Sequence, residues 1–345
     1  MTKVYVHPSV DIYYSGFYLL GLEQVFGKEN IIYSAKPFDF TPPMPFEIFE
    51  VYLLFIIDRD GVQTKYALDL YDMHNIKQNI YEWCDIYGQI NVRYREFPAA
   101  IYPKVVPLCP SFGVCYWSLF ETPYRVISDL TMLHYHVQPN CLRPIKRAIK
   151  QLRRLPYDCY LYSKEGDVRD NYVFMLSTLW HNSEVAGIGK EVNEARVNFM
   201  NACRGIPNLQ FEGGLVPTKR SKSVAHTFQN YLTSGQPLLQ WLKKTKESMC
   251  VFNTPAYWNC HGWKLGEYLA LGKCIISTPL SNDLPAPLVH GQHIHFVENT
   301  PSAMREALLY IVQHPTYRKQ LERGAKAYWE QYGTPMASMR RLGII

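Results

Sequence analysis

Apolar runs of strand length alternate with segments of helical period along the whole chain, a rhythm that predicts α/β architecture with largely parallel sheets. In the first half the strands fall at 3–7, 30–34, 51–58, 85–91 and 104–112, with helices at 17–27 and about 77–84. The second half restarts the pattern with strands at 157–163, 171–178, 208–214, 248–255, 273–279 and 293–297. Helices are expected between them at 191–203, 228–244 and 262–271, and two more close the chain at 301–313 and 316–331. No internal repeat or low-complexity tract interrupts this order.

Between the halves, 144–155 carries Ile145, Ala148, Ile149, Leu152 and Leu155 at helical spacing, while Lys146, Arg147, Lys150, Arg153 and Arg154 fill the other face. Two readings of this basic amphipathic helix stand side by side: an apolar stripe packed on the first half, and a peripheral contact with anionic lipid.

Length and composition narrow the choice. At 345 residues the chain suits two domains. Its 47% hydrophobic and 19% charged residues are the balance of a folded globular protein. A formal net charge of +6 favours phosphate-bearing ligands. The basic residues are dispersed, however, and no nucleic-acid-binding motif is present, so nucleic acid is not an expected partner. Nine cysteines without Cys-x-x-Cys pairs read as reduced thiols. The chain opens directly on strand 3–7, and its longest apolar run, 51–57, is far short of the ~20 residues that span a bilayer. The expectation is a cytoplasmic protein, peripheral at the inner membrane face if 144–155 meets lipid.

Chemistry concentrates in one stretch of the second half, Asn259 to Lys273. Strand 248–255 runs through a loop into a helix that begins near Gly262, and a helix amino terminus after a strand presents backbone N–H groups and partial positive charge to a diphosphate. Gly262 lets the backbone come close to such a ligand. Glu267, one turn further in, is a carboxylate suited to the two hydroxyls of a ribose. Gly272 then stops the helix before the strand KCIIST.

This run, with Gly262, Gly266, Glu267 and Gly272 ahead of KCIIST, resembles the carboxy-terminal signature of GT-B glycosyltransferases. Within that superfamily it is most similar to the retaining group with a paired-glutamate motif; Gly262 and Glu267 match, and Asn259 stands where the first glutamate belongs. The neighbouring His261, Gly262 and Trp263 also resemble part of the signature of plant-type inverting GT-B enzymes. The resemblance spans about 171–331.

It implies two Rossmann-like domains facing a cleft: an acceptor domain at 1–155, a nucleotide-sugar domain at 156–330, and a terminal helix within 315–345 that crosses back. It further implies sugar transfer from a nucleotide sugar, UDP-linked in preference to GDP-linked, to a glycan or lipid-linked acceptor, with no metal and no other cofactor. A GT-B-fold nucleotide-sugar epimerase and a non-catalytic nucleotide-sugar-binding partner are the alternatives.

Donor-binding candidates on this reading are Glu267, Gly262, His261 and Lys264 in the motif, Thr178 at the end of strand 171–178, and Lys190 and Arg196 at the following helix. Gly213 and Gly214, at the expected end of strand 208–214, suit close passage of a nucleotide base. Asp11, which follows the first strand, Asp58, which ends strand 51–58, and His74 are the candidate catalytic bases of the first half.

Overall fold

Val4 and Val6 bury alternate side chains of Thr2–Val6, which forms strand β1. In the computed structural model, which describes residues 2–40, 51–132, 143–162, 167–181 and 188–345, the chain separates into two units. The first comprises Met1–Cys159, Asp283–Pro285 and Tyr332–Ile345; the second comprises Tyr160–Asn282 and Ala286–Gln331.

After β1 the chain enters helix α1 (Ile12–Phe26), whose N-cap Asp11 accepts the Tyr13 amide at 3.0 Å. Strands β2 (Ile31–Tyr33), β3 (Tyr52–Arg59) and β4 (Val62–Asp69), helix α2 (Gln78–Trp83), and strands β5 (Ile86–Gln89) and β6 (Val105–Pro107) complete the first sheet. Its order is β2-β1-β3-β4-β5-β6. The sequence rhythm predicts a largely parallel sheet, but β3 runs antiparallel to both β1 and β4 at the centre. The cause is a tight reversal: Arg59 pairs with Val62, and the intervening Asp60 and Gly61 take φ of 53° and 89°. Positive φ at both turn positions is what a two-residue hairpin demands. β3 is apolar and buried on both faces from Tyr52 to Ile57, as a central strand must be.

Helices α3 (Glu121–Met132) and α4 (Arg143–Leu152) follow, α4 packing on α1. The predicted apolar stripe of 144–155 is not the face that α4 buries. Ala148 is buried together with Arg147 and Gln151, while Ile145 and Ile149 are exposed. Polar bonds explain the rotation. Arg147 Nη1 donates to the carbonyls of Ser9 and Val10 at 2.6 and 2.9 Å, and the Gln151 amide bonds the backbone of Tyr116 and Trp117.

The second unit is built on parallel strands β7 (Tyr172–Thr178), β8 (Gln210–Val216), β9 (Val251–Asn253), β10 (Ile275–Ser277) and β11 (His295–Phe296). Helices α5 (Ile188–Arg204), α6 (Leu238–Glu247), α7 (Trp263–Ala270), α8 (Pro301–Gln313) and α9 (Pro315–Tyr328) connect or cover them. The helix expected at 228–244 begins later, because 222–231 winds into a 3-10 turn and Pro237 caps α6.

The strands form two ladders, β8-β7 and β9-β10-β11. β7 lies beside β9, joined by the Met249 amide on the Tyr172 carbonyl at 2.8 Å. The buried Ser248 hydroxyl splints the join, accepting the Phe174 amide at 2.8 Å and donating to the Cys250 carbonyl at 2.6 Å. Across this join the strand order is β8-β7-β9-β10-β11, with β7 at the point where successive crossovers change direction. Phe199 of α5 stacks on Phe252 of β9 at 4.4 Å between ring centroids, at the heart of a core that also holds Met175, Cys274, Met304 and Leu308.

Past α9, a π-helical turn at Trp329–Gly333 leads to α10 (Pro335–Arg341), which packs on α1 in the first unit. Eight cysteines are free thiols, most of them buried; Cys141 lies outside the described residues. No helix among the described residues is long and apolar enough to cross a membrane.

Candidate functional site

In open α/β sheets a ligand sits beyond the carboxyl ends of the strands, where crossovers diverge to opposite sides. In the second unit that place is the gap between the ends of β7 and β9, and a cavity of about 140 Å³ opens there. Ser177 and Thr178 line it from β7, and Asn253 and Thr254 from β9. Trp180, Arg196 of α5, and Gly262, Trp263 and Lys264 at the start of α7 complete the wall.

Gly262 is the N-cap of α7, and no side chain caps this helix. The helix therefore turns an uncapped positive end toward the cavity. The loop before it is held in an unusual backbone state: Trp258 and Asn259 both take left-handed φ, 63° and 58°. Such residues cost energy and persist where surrounding contacts over-determine them. Here the Asn282 amide donates to the Asn259 carbonyl at 3.1 Å, and Tyr257 stacks on Trp180. Below the floor, Asn253 Nδ2 donates to Ser277 Oγ at 2.9 Å, which ties β9 to β10.

Arg196 is the decisive group. It is buried, its Nη1 donates to the Thr178 carbonyl at 2.7 Å, and no carboxylate among the described residues pairs with it. Burial lowers its pKa to about 10, a measure of how poorly its charge is solvated. Lys264 adds a second positive charge, with Nζ over the Trp241 ring at 4.4 Å and the Tyr268 ring at 5.7 Å. A buried guanidinium, a lysine and a helix amino terminus around one cavity make a receptor for an anion.

Four of the donor-binding candidates thus meet in one wall: Thr178, Arg196, Gly262 and Lys264. Glu267 and His261 are buried next to that wall without lining it. Glu267 follows Lys264 by three positions and Trp263 by four, so it shares their helix face one turn deeper.

Lys190 lies elsewhere, on the exposed face of α5 at 3.8 Å from Glu194. Gly213 and Gly214 do not end their strand, which runs on to Val216. Their missing side chains are spoken for by protein: a Cβ at Gly213 would sit 1.9 Å from the Met175 carbonyl oxygen, and one at Gly214 2.5 Å from that of Tyr231.

In the first unit, Asp11 opens onto a cavity of about 400 Å³ with Tyr14, Asp72, Lys146, Arg147 and Lys150. His74 Nε2 is 2.8 Å from Glu96 Oε2 and 3.5 Å from Arg93 Nη1, a bonded cluster after β4. Asp58 belongs at neither place. Because β3 is antiparallel, its end pairs with the start of β1, Asp58 opposite Lys3, which is the far edge of the sheet from Asp11. Its carboxylate accepts Gln63 Nε2 and the Gly61 amide, bonds that hold its pKa below the usual range and secure the hairpin.

Among the described residues no group of three or more His, Cys, Asp or Glu is arranged to hold a metal ion. A larger cavity, about 480 Å³, adjoins Arg169 just ahead of β7, and there Glu247 lies 3.7 Å from Arg169 and 3.9 Å from Lys243. The sequence singles out Arg196 without showing its burial, and does not single out Trp180, Asn253 or Thr254; positions at or just past the ends of two apolar strands are the signal for all three.

No family model matches the chain, and no curated protein is similar to it in sequence. Similar solved structures include the C-terminal domain of a glycosyl transferase group 1 family protein from Francisella tularensis, at 11% identity and a TM-score of 0.37, over 52% of this chain and 97% of that one. A glycosyltransferase from Rickettsia africae has 11% identity and a TM-score of 0.41, over 79% of this chain and 67% of that one. A UDP-GlcNAc 2-epimerase from Neisseria meningitidis bound to UDP-GlcNAc has 12% identity and a TM-score of 0.40, over 77% of this chain and 62% of that one. Likenesses at these scores carry no weight for the chemistry of this chain, which must be sought in its own residues.

Proposed function

We propose that the chain is a glycosyltransferase whose second unit binds a nucleotide sugar, with the diphosphate at the β7–β9 cavity. The observation that supports this reading is Arg196, a buried cation without a carboxylate partner among the described residues, which lines one cavity together with Lys264 and the start of α7. The signature around Gly262 and Glu267 supplies the rest: Glu267 takes the ribose hydroxyls, and the sugar extends from the diphosphate.

In this scheme an acceptor hydroxyl on a glycan or a lipid-linked glycan loses its proton to a base and attacks the anomeric carbon. The bond to the diphosphate breaks, and the leaving group's charge passes to Arg196, Lys264 and the helix terminus, which makes metal unnecessary. Asp11 and His74, in the first unit, are the bases we assign to the acceptor side. A UDP-linked donor is preferred.

The test is calorimetric titration of the full chain with uridine and guanosine diphosphates. Binding of UDP that is lost in Arg196→Ala is the expected result; equal binding by both proteins would remove the diphosphate from this cavity. Incubation with UDP-sugars alone separates the chemistries, since a new nucleotide sugar formed without acceptor would replace transfer by epimerisation.

A further inference from the structure

Three of the chain's eleven histidines fall within six residues, His290, His293 and His295, where the chain turns into β11. β11 is an end strand of its ladder, so one row of its backbone groups faces no neighbouring strand. His290 covers part of that row: its Nδ1 accepts the Phe296 amide at 3.0 Å, while the next amide, of Val297, turns the other way and donates to Ser277 of β10. His293 closes the preceding turn in the same manner, its Nδ1 accepting the Val289 amide at 3.0 Å. A ring nitrogen accepts an amide only while it carries no proton. Both bonds therefore require neutral imidazoles.

His295 sits among rings. It lies 4.7 Å from His290 between centroids, and its Nδ1 is 2.9 Å from the Tyr317 hydroxyl of α9. The other titratable groups that face the three rings are Tyr310 of α8, with His314 stacked on it at 4.0 Å, and Tyr328 of α9, against which His293 packs. β10 presents only Ile276 and Ser277 to β11. No carboxylate among the described residues pairs with any of the three histidines, so charge gained here meets no opposite charge, and at His290 and His295 it meets its own sign. Burial holds the His293 imidazole below the usual histidine range, and burial with the neighbouring His290 pushes His295 down to about 4.

The segment that these histidines organise is fastened to α9. Gln320 Nε2 donates to the Gly291 carbonyl at 2.8 Å, and the Tyr328 hydroxyl donates to the Ala286 carbonyl at 2.6 Å. A Cβ at Gly324 would meet the Gln292 carbonyl oxygen at 1.8 Å. So close an approach leaves the turn no room to rearrange in place.

We propose that 286–296 is an acid-opened latch, closed on α9 at neutral pH and lifted from it, baring the outer edge of β11, when its histidines take up protons. The latch needs no nucleotide and is independent of the donor-site reading. A base whose pKa is lowered in the fold stabilises the closed form above its unfolded value, near ~6.5, and that contribution is lost progressively as pH falls toward about 4. His295 alone then favours opening about 30-fold more at pH 5 than at neutral pH.

Hydrogen exchange of the full chain, read as protection factors so that the intrinsic pH dependence of exchange is removed, tests it. Between pH 7.5 and 5 the amides of 289–296 should lose at least about tenfold in protection, while those of β7 and β9 keep theirs. His290→Asn/His293→Asn/His295→Gln, which keeps oxygen acceptors in place of the ring nitrogens but takes up no proton, should hold its protection at pH 5. His226→Gln, at an exposed position in the 222–231 turn, should respond like the wild type. If the triple variant unfolds early at pH 7.5, His295→Gln alone decides, and should cut the acid response severalfold. A wild type without an acid response in 289–296, an equal response in the histidine variants, or simultaneous loss of protection in β7 and β9 would each overturn the proposal.

Discussion

The Arg196 guanidinium donates to the Thr178 main-chain carbonyl at 2.7 Å, so the cation lining the β7–β9 cavity is held by backbone, and no acid among the described residues pairs with it. A carboxylate in that place would neutralise the charge before any ligand arrived. The carbonyl orients the group and leaves its charge for an anion.

That arrangement predicts opposite effects of one substitution on stability and on binding. A base whose pKa is lowered by burial destabilises the folded state at every pH below its folded value, here about 10, and the cost is relieved only above it. Arg196→Met should therefore keep or raise the unfolding temperature of the ligand-free protein at neutral pH, despite the lost hydrogen bond. The same variant should lose at least ~10-fold in UDP affinity, or about 1.4 kcal/mol. A variant that unfolds many degrees earlier would show Arg196 to be structural.

Glu267→Ala should weaken UDP binding by at least ~10-fold, because charge-assisted hydrogen bonds are each worth ~1.5–3 kcal/mol. The 2′-deoxy nucleotide is the sharper probe: it should bind less well than UDP to the wild type, and equally well to Glu267→Ala. Glu306→Ala, on the exposed side of α8 away from Met304, Ala307, Leu308 and Ile311, is the control. Full discrimination retained by the Glu267 variant would put the ribose elsewhere.

Activity should survive chelation of divalent cations. A strict requirement for added magnesium or manganese in the transfer assay would contradict the use of Arg196, Lys264 and the α7 terminus as the sole charge acceptors.

Asp69 sets a pH dependence in the first unit. Burial raises its pKa to about 6 despite bonds from the Tyr71 amide, Tyr87 and Tyr52 hydroxyls, and Gln89. A raised acid stabilises the fold below its unfolded value, near ~4, and that contribution is lost as pH rises through about 6. Unfolding temperatures measured from pH 4 to 7 should therefore fall in the wild type relative to Asp69→Asn, by the equivalent of roughly 2–3 kcal/mol. Parallel curves for the two proteins would refute the shift.

Two glycines with positive φ should differ sharply when replaced by alanine. Gly61→Ala, at φ 89° with nothing near its Cβ, should cost about 1 kcal/mol from backbone strain alone. Gly213→Ala must displace the Met175 carbonyl from within the β7–β8 ladder, and should cost several times more, about 3 kcal/mol or above. Denaturant midpoints read both.

Much of the fold is legible in the sequence because apolar period and capping agree. The run before Thr178 forms β7, Gly262 is the N-cap of α7, and Gly272 takes the left-handed φ of 60° that ends it. The β3–β4 hairpin escapes the periodic pattern although Asp60–Gly61 is a strong turn signal, because 62–69 mixes Gln63, Thr64 and Lys65 into its outer half. The buried face of α4 escapes it for a different reason: hydrophobicity predicts which side chains leave water, but not which polar ones find backbone partners, as Arg147 does on Ser9 and Val10. The cavity at β7–β9 depends on strand order, and strand order is a long-range property that local period does not encode.

The packing of α10 on α1 bears on how the chain is made. A Cβ at Gly21 would meet the Pro335 carbonyl oxygen at 2.8 Å, so α1 is shaped for a helix encoded more than three hundred residues later. On the ribosome, α1 must wait with that groove open while the whole of the second unit is synthesised, and the second unit can reach its native core first. The first unit matures late. Its vulnerability to proteases and to chaperone capture during synthesis should end only when Pro335–Arg341 has emerged from the exit tunnel.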